Sequence, residues 1–186
     1  DRDLIPDSCE AQWISVNGDV VEVGLWFGSL GRDGITRAAL IMNADGMHEL
    51  TAAADSADAE VGELEKFLYE PDGAVIRARL IGDLARNMGA HMLDEHIAYM
   101  SSDTKMHSPF AATFEVVQEY ALDVKVLAKE LKARGIGTLE IKKRGVDIDP
   151  AEFRKRLNLS GKKSATLFLT RLGERRVAIL AQRLPK

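Results

Sequence analysis

The order of periodic segments after residue 110 constrains the fold more than any other feature, because strand patterns there enclose two helix patterns. Asp149-Pro150-Ala151-Glu152 combines an N-cap, a first-turn proline and an acid, and predicts that the second helix begins here and runs to about Leu157. The predicted segments are a strand at 110–118, a helix at 123–134, a strand at 137–143, a helix at 149–157 and strands at 165–171 and 176–182. This β-α-β-α-β-β order predicts an α+β sandwich with both helices on one face of a sheet.

The first 42 residues predict antiparallel β-structure. Asn17-Gly18 is a hairpin signal, and it separates the strand patterns 11–16 and 20–27. Apolar residues alternate in the second of these strands, so we expect one face to be buried, formed by Val21, Val23 and Leu25. Another strand is predicted at 36–42.

The middle of the chain is less regular. Residues 43–65 are rich in alanine and acids, and we expect residues 55–65 to form a solvated linker. The patterns that follow predict a strand at 66–70, one helix from Ala74 to Met88 that stops at Gly89, and a short strand at 97–100.

Charge divides the chain into two parts of opposite sign. Residues 1–120 carry 8 Lys and Arg against 22 Asp and Glu, whereas residues 121–186 carry 17 against 7. Such a division indicates two modules, and the basic module is a candidate for binding polyanions.

Nothing in the sequence predicts a membrane-spanning or secreted protein. No apolar run approaches the roughly 18 residues that a membrane helix needs, and the basic-then-apolar order of a signal peptide is missing at the start. A single Cys9 cannot form an internal disulfide and fits a reducing compartment, so we expect a cytoplasmic location. Because the chain begins at Asp1 without an initiator Met, we expect a fragment or a processed product.

Short motifs for nucleotides and metals are incomplete. Gly161-Lys162-Lys163-Ser164 resembles the end of a P-loop, but Arg156 stands where that motif needs a glycine, and residues 28–34 lack the spacing of a dinucleotide fingerprint. Residues 91–96 contain four ligand-type side chains, but they miss the inverted zincin pattern and have no third His or Cys nearby. The sequence therefore predicts no metal site, no cofactor site and no catalytic residue.

Clusters of Lys and Arg are the remaining signal. A stripe of lysines follows the helix predicted at 123–134, and eight further cations form the candidate nucleic-acid site: Lys142, Lys143, Arg144, Arg154, Lys155, Arg156, Lys162 and Lys163. The 142–144 group ends a strand and the 154–156 group lies on the next helix. We therefore expect both groups to lie at one edge of the domain, with their side chains exposed. Aromatic residues are scarce here, which favours recognition of backbone or shape over base stacking. An ordinary solvated face that balances the acidic half is the alternative.

Several strings resemble one protein family. Leu139–Pro150, together with Ala165–Arg171, resembles the THUMP-like C-terminal domain of a bacterial class I S-adenosylmethionine-dependent methyltransferase family. Tyr69–Ala78 is similar to the ferredoxin-like element that precedes this domain in the family, and Glu10–Trp13 with Glu22–Gly28 resembles the last strands of its catalytic domain.

This resemblance implies three regions: a remnant of the methyltransferase catalytic domain with a linker at 1–65, a ferredoxin-like element at 66–109 and a THUMP-like domain at 110–186. The parent protein would use S-adenosylmethionine. The family's glycine-rich cofactor loop has no counterpart in this sequence, so we expect this fragment to bind no cofactor and to be inactive alone.

The resemblance also implies a function, a module that recruits an RNA substrate to the methyltransferase. The expected partners are RNA and the remainder of the methyltransferase domain, and no membrane. A homodimer is a further expectation, because a second copy could cover large side chains that the catalytic domain leaves bare, namely Trp13, Trp26 and Phe27. Two alternatives stay open: a structural or interaction domain that completes or oligomerises the enzyme, and a methyltransferase that acts on a protein or a small molecule.

Overall fold

The computed structural model describes residues 5–6 and 8–185. Its elements in chain order are β1 (Cys9–Val16), β2 (Asp19–Phe27), β3 (Arg37–Asn43), β4 (Gly46–Ala52), β5 (Phe67–Pro71), α1 (Gly73–Arg77), α2 (Ile81–Asn87), β6 (His91–Asp94), β7 (Ile97–Ser102), β8 (Ala111–Ala121), α3 (Val124–Ala133), β9 (Ile136–Lys143), α4 (Pro150–Leu157), β10 (Lys163–Leu172) and β11 (Arg175–Arg183). The strands form a four-stranded sheet, ordered β2-β1-β3-β4, and a seven-stranded sheet, ordered β6-β7-β5-β8-β11-β10-β9. The predicted α+β class is confirmed.

The β1–β2 hairpin confirms the turn predicted at Asn17-Gly18, where both residues have positive φ angles of 51° and 95°. β3 pairs with β1 in parallel, so this sheet is mixed and not wholly antiparallel as predicted. β4 was not predicted, because the alanine- and acid-rich composition of residues 43–65 does not indicate a strand. It pairs antiparallel with β3 across a turn at residues 43–46.

The prediction that Val21, Val23 and Leu25 form a buried face of β2 is wrong. A β-bulge in the β1–β2 pairing lies between Ile14 and Ser15 and leaves Val21 without a partner on β1. Val23 and Leu25 lie opposite Trp13 and Ala11 and so share the core-side face, yet they are 45 % and 40 % exposed. β2 is an edge strand, and α1 packs mainly on β1 and β3, so the core stops short of these side chains.

The predicted linker is bonded to the rest of the protein. Asp55 accepts a hydrogen bond from the Arg37 side chain at 2.8 Å, and Val61 forms a parallel bridge with Met92 of β6. We call residues 53–65 the strap. Its side chains are mostly exposed, but its backbone follows the surface of α1, α2 and β6 through specific hydrogen bonds.

The single helix predicted at 74–88 is in fact two helices, α1 and α2. α1 stops at Ala78, and Arg79 has a left-handed φ of 60°, which a continuous helix does not allow. The Arg79 carbonyl then accepts hydrogen bonds from the Ser56 amide and hydroxyl of the strap, each at 2.9 Å. α1 and α2 lie between the four-stranded sheet and the outer face of β5 and β7.

The seven-stranded sheet curls over so that β6 approaches β10. The enclosed core centres on Phe168, whose ring meets Tyr99 and Phe114 edge-on at centroid distances of 5.2 and 4.8 Å. β6, a strand that was not predicted from the sequence, makes the contact with β10 at this closure. β5 pairs with β8, so residues 66–109 and 110–186 contribute strands to one sheet.

The β-α-β-α-β-β order at the C-terminus is confirmed. α3 and α4 pack side by side on the outer face of β8–β11–β10–β9, with Leu127, Leu131, Phe153 and Leu157 buried. The side chains of Asp123 and Asp149 cap the two helices by accepting hydrogen bonds from backbone amides. Strands β8, β9 and β10 are parallel, so both helices begin at the same edge of the sheet.

Candidate nucleic-acid interface

The outer surfaces of α3 and α4 carry six exposed cations, which we call the basic helical face: Lys125, Lys129, Lys132, Arg154, Lys155 and Arg156. The buried leucines of α3 and Phe153 and Leu157 of α4 turn these cations outward, because residues three and four apart share a helix face. Since the two helices are neighbours, their cations form one continuous surface.

Within the described part of the chain, no cation of the basic helical face forms an ion pair with a carboxylate. Asp123 and Asp149, at the starts of the two helices, accept hydrogen bonds from the helix backbone. Backbone hydrogen bonds from Glu152 and Ala151 hold the pKa of Asp149 below its ordinary value, and those from Val126 and Lys125 do the same for the pKa of Asp123. Both carboxylates therefore stay charged at neutral pH. The six cations still outnumber Glu130 and Glu152, the acids within the two helices, so the face presents net positive charge to solvent.

Lys142 lies on the opposite face of the sheet. Side chains alternate along a strand, so Ile141 packs beneath the helices while Lys142 points away from them. Its Nζ is 2.7 Å from a Glu70 oxygen and 3.4 Å from a Glu140 oxygen, and only 21 % of the side chain is exposed. The expectation of an exposed Lys142 is therefore wrong; the residue ties β9 to β5 across the curled sheet.

Arg144 is also turned away from the basic helical face. Its guanidinium carbon lies 5.3 Å from the centre of the Tyr99 ring, and its side chain is half-buried. Within the 142–144 group, Lys143 alone is exposed, and it lies near the start of α4, where its charge acts on Asp149.

Lys162 and Lys163 are exposed at the other edge of the sheet. The Lys163 amide donates to the Gly135 carbonyl at 3.0 Å, just beyond the end of α3. β9 separates this edge from Lys143 by about 23 Å, from a rise of roughly 3.3 Å per residue. The eight predicted residues are thus divided: six flank or belong to the basic helical face, and Lys142 and Arg144 do not.

A groove of about 630 Å³ opens where Lys142 and Arg144 lie. One wall consists of the two turns of the four-stranded sheet, at residues 17–19 and 43–45, and the other includes Arg183 at the end of β11. No sequence motif predicts this groove, because its walls come from segments that are far apart in the chain.

Residues 91–96, which contain His91 and His96, do not form a metal-binding arrangement. The His91 ring nitrogen Nε2 lies 2.6 Å from the Glu63 carbonyl of the strap, and His96 is in the turn between β6 and β7. In residues 5–6 and 8–185, no group of three or more His, Cys, Asp and Glu side chains is placed to hold a metal ion. Among the helices of these residues, none combines the length and apolar character needed to cross a bilayer.

Comparison with known proteins places the basic helical face within one recognised segment. Residues 111–183 match the THUMP domain-like family. This THUMP-like segment comprises β8 to β11 with α3 and α4.

The remainder of the chain also has relatives. Two proteins of Mycobacterium tuberculosis strains, both named uncharacterised S-adenosylmethionine-dependent methyltransferases, are 37 % identical over 164 residues, which is 88 % of this chain and 44 % of each relative. The chain also shares its fold with the crystal structure of a candidate methyltransferase from Porphyromonas gingivalis, with a TM-score of 0.75, 18 % identity, and coverage of 96 % of this chain and 46 % of that one. The chain therefore spans less than half the length of the relatives it matches.

The glycine-rich segment at 28–34 does not have the geometry of a class I S-adenosylmethionine loop. The segment leaves β2 through a 3₁₀ turn at Gly28–Leu30 and enters β3. A class I cofactor loop leads from a strand into a helix whose N-terminus faces the ligand. No such helix follows the segment here.

Proposed function

We propose that this chain is the substrate-recruiting part of a longer S-adenosylmethionine-dependent methyltransferase, and that its basic helical face binds RNA. Similarity to proteins of that name over 88 % of the chain supports the methyltransferase assignment. Cofactor binding and methyl transfer would then belong to the remainder of the longer protein, which we expect to act in the cytoplasm.

The observation that carries the RNA proposal is the contrast between paired and unpaired cations. Elsewhere, side chains such as Arg37, Lys142 and Arg183 lie within ion-pair distance of carboxylates. The basic helical face keeps its six charges unpaired among the described residues, with Lys143, Lys162 and Lys163 beside it. Unpaired cations on one surface attract phosphates and release counterions when they bind.

Fluorescence anisotropy with short single-stranded and stem-loop RNAs, over a range of salt concentrations, tests the proposal. The triple variant Lys129→Ala, Lys155→Ala and Arg156→Ala removes three charges from the face. We expect wild-type affinity to fall steeply with salt, and the logarithmic salt slope of the variant to be flatter by up to about 3 units, at roughly 0.9 per phosphate contact.

A matched control removes the same charge elsewhere. Lys66, Arg86 and Arg175 are exposed and pair with Asp103, Asp83 and Glu119, and such surface pairs contribute about 1 kcal/mol or less. Their triple alanine variant should keep the wild-type salt slope. If both triple variants lost the same amount of RNA affinity and salt slope, net charge alone would attract RNA. If the wild type showed no salt-dependent binding, the RNA role would be rejected.

The apolar face of β2 favours a second, structural role. Val23, Leu25 and Phe27 are 45 %, 40 % and 50 % exposed, and they continue the face on which Trp13 is buried. Trp26, on the other face, is 40 % exposed. Exposed apolar surface next to a core is typical of an interface. We propose that the remainder of the methyltransferase packs on this face, in keeping with the greater length of the relatives.

Analytical ultracentrifugation distinguishes that role from a homodimer. The variant Val23→Ser with Leu25→Ser is compared with Val117→Ser and Val126→Ser, whose side chains are similarly exposed at 45 % and 46 % on other elements. A wild-type chain that dimerises, and is monomeric only when the β2 pair is changed, would assign the face to a second copy. A monomer throughout supports its assignment to the remainder of the methyltransferase.

A further inference from the structure

Polar atoms without hydrogen-bond partners gather at one end of the curled sheet. In the described residues, four such buried atoms are Tyr99 Oη, Arg144 Nε, Thr170 Oγ1 and Arg171 Nε. Tyr99 is 1 % exposed and Thr170 is fully buried. Buried polar atoms in native proteins are almost always bonded, so a cluster of unbonded ones indicates an absent partner.

These side chains are neighbours in space. Arg144 and Thr170 directly follow Lys143 and Leu169, which are register partners on β9 and β10. The Arg144 amide donates to the Leu169 carbonyl at 3.1 Å, which holds the backbone at this point. The Arg144 guanidinium lies over the Tyr99 ring, 5.3 Å from its centre.

Arg171 completes the cluster at its edge. Its Nε lies 3.3 Å from the position that a Cβ on Gly145 would occupy, which places the side chain beside the residue that follows Arg144. A carboxylate oxygen of Asp94 on β6 lies 3.7 Å from Arg171 Nη2 and offsets that charge. Arg144, by contrast, forms no ion pair with a carboxylate of the described residues.

All four unbonded atoms can donate a hydrogen bond, and the two arginine Nε atoms can only donate. What the cluster lacks is therefore an acceptor. A neutral acceptor would leave the Arg144 charge unbalanced, whereas an oxyanion satisfies both requirements and matches the planar guanidinium. We propose that Arg144 and Tyr99 form an oxyanion site that binds a phosphoryl group, with Thr170 and Arg171 behind them.

A path to this site exists. Of the four residues of the cluster, Arg144 alone lines the groove of about 630 Å³ between the two sheets, so a phosphoryl group reaches the site from solvent at its guanidinium. Asn43 lines the facing wall, and its Nδ2 is a further buried donor without a partner. Asp19, Asp45 and Asp72 also line the groove, but Lys142 and Arg183 are paired with Glu70 and Glu140, so among the described cations of the lining Arg144 alone has no carboxylate partner.

The site is separate from the basic helical face, which lies on the other side of the sheet, so the inference does not depend on RNA binding there. Burial and the Glu70 carboxylate raise the pKa of the Tyr99 hydroxyl above its ordinary value, and the neighbouring Arg144 guanidinium partly opposes this rise. Tyr99 therefore keeps its proton at neutral pH and serves as a donor to the anion.

Nuclear magnetic resonance of the arginine Nε–H groups tests the site directly in the ¹⁵N-labelled chain. The Arg144 signal is assigned by its loss in Arg144→Lys, and inorganic phosphate is then titrated into the wild type. We expect a saturable shift of the Arg144 Nε–H signal at millimolar phosphate. Tyr99→Phe, which keeps the ring but removes the hydroxyl, should raise the apparent dissociation constant about tenfold.

Arg175→Lys is the matched control, since it makes the same change at the exposed start of β11. Phosphate should still shift the Tyr99 and Thr170 amide signals in this variant and should no longer shift them in Arg144→Lys. A short RNA in place of phosphate identifies the source: a shift of Arg144 with RNA alone assigns the site to a phosphodiester, and a shift with phosphate assigns it to a free phosphoryl ligand. Apart from the assignment, the titration is read on the wild type alone, and an Arg144 signal that moves with neither probe overturns the proposal.

Discussion

Gly82 is the position where the strap approaches α2 most closely. A Cβ placed on this residue would lie 1.8 Å from the Ala57 carbonyl oxygen and 2.9 Å from its carbon. These are backbone atoms, which cannot rotate away as a side chain can. The substitution Gly82→Ala should therefore detach the strap from α2 while leaving both sheets in place.

The magnitude follows from the bonds that the strap makes here. The Ser56 amide and hydroxyl donate to the Arg79 carbonyl, each at 2.9 Å, and the Gly82 amide donates to the Ser56 hydroxyl at 3.1 Å. Each bond contributes about 1 kcal/mol, and alanine returns up to about 1 kcal/mol through its helix propensity. We expect Gly82→Ala to lower the free energy of unfolding by about 2 kcal/mol.

Urea denaturation measures this loss, and hydrogen–deuterium exchange of residues 53–65 shows whether the strap has been released. Gly73→Ala is the matched control, because Gly73 is also in the first turn of a short helix. A Cβ there would meet only the Val20 Cγ2 methyl at 2.8 Å, which a side-chain rotation can relieve. If both variants unfold at the same urea concentration and keep the same strap protection, the steric argument is refuted.

Two further predictions concern the core and the response to acid. Phe168→Ala should lower the free energy of unfolding in urea by about 4 kcal/mol, because the fully buried ring packs on Tyr99 and Phe114. A loss no greater than that of Phe27→Ala, at a half-exposed ring, would contradict this. Hydrogen bonds from Arg32 hold the pKa of Glu10 below its ordinary value, so this carboxylate stabilises the fold above about pH 4 and loses that effect as pH falls through its folded-state pKa. Glu10→Gln should then be less stable than wild type near neutral pH, with the gap closing in acid; a constant gap across a pH series of melting curves would count against it.

Local chemistry made the C-terminal region predictable. The helix start at Pro150 depends on contacts within three residues, since Asp149 accepts hydrogen bonds from the amides of Ala151 and Glu152. The Asn17-Gly18 turn is equally local, because both residues tolerate the positive φ angles that the hairpin requires. Each of these signals is contained within a few consecutive residues, so it acts in the same way whatever the rest of the protein does.

Other elements became clear only in the folded protein. β4 lies in the alanine- and acid-rich segment 43–65, yet it forms a strand because β3 offers it an open edge. The helix predicted at 74–88 breaks at Arg79, where the strap takes up the freed carbonyl. In both cases a partner from another part of the chain outweighs the local propensity.

In the candidate site, too, some features follow from local sequence and others from contacts between distant segments. The sequence by itself determined that the basic residues concentrate after residue 120, and that those on α3 and α4 turn outward, because helical periodicity places leucines and Phe153 on the opposite side. Only the tertiary structure decided that Lys142 pairs with Glu70 and that Arg144 lies over Tyr99. The physical reason is that exposure and pairing depend on which distant strands the curled sheet brings together, and no spacing within a strand encodes that approach.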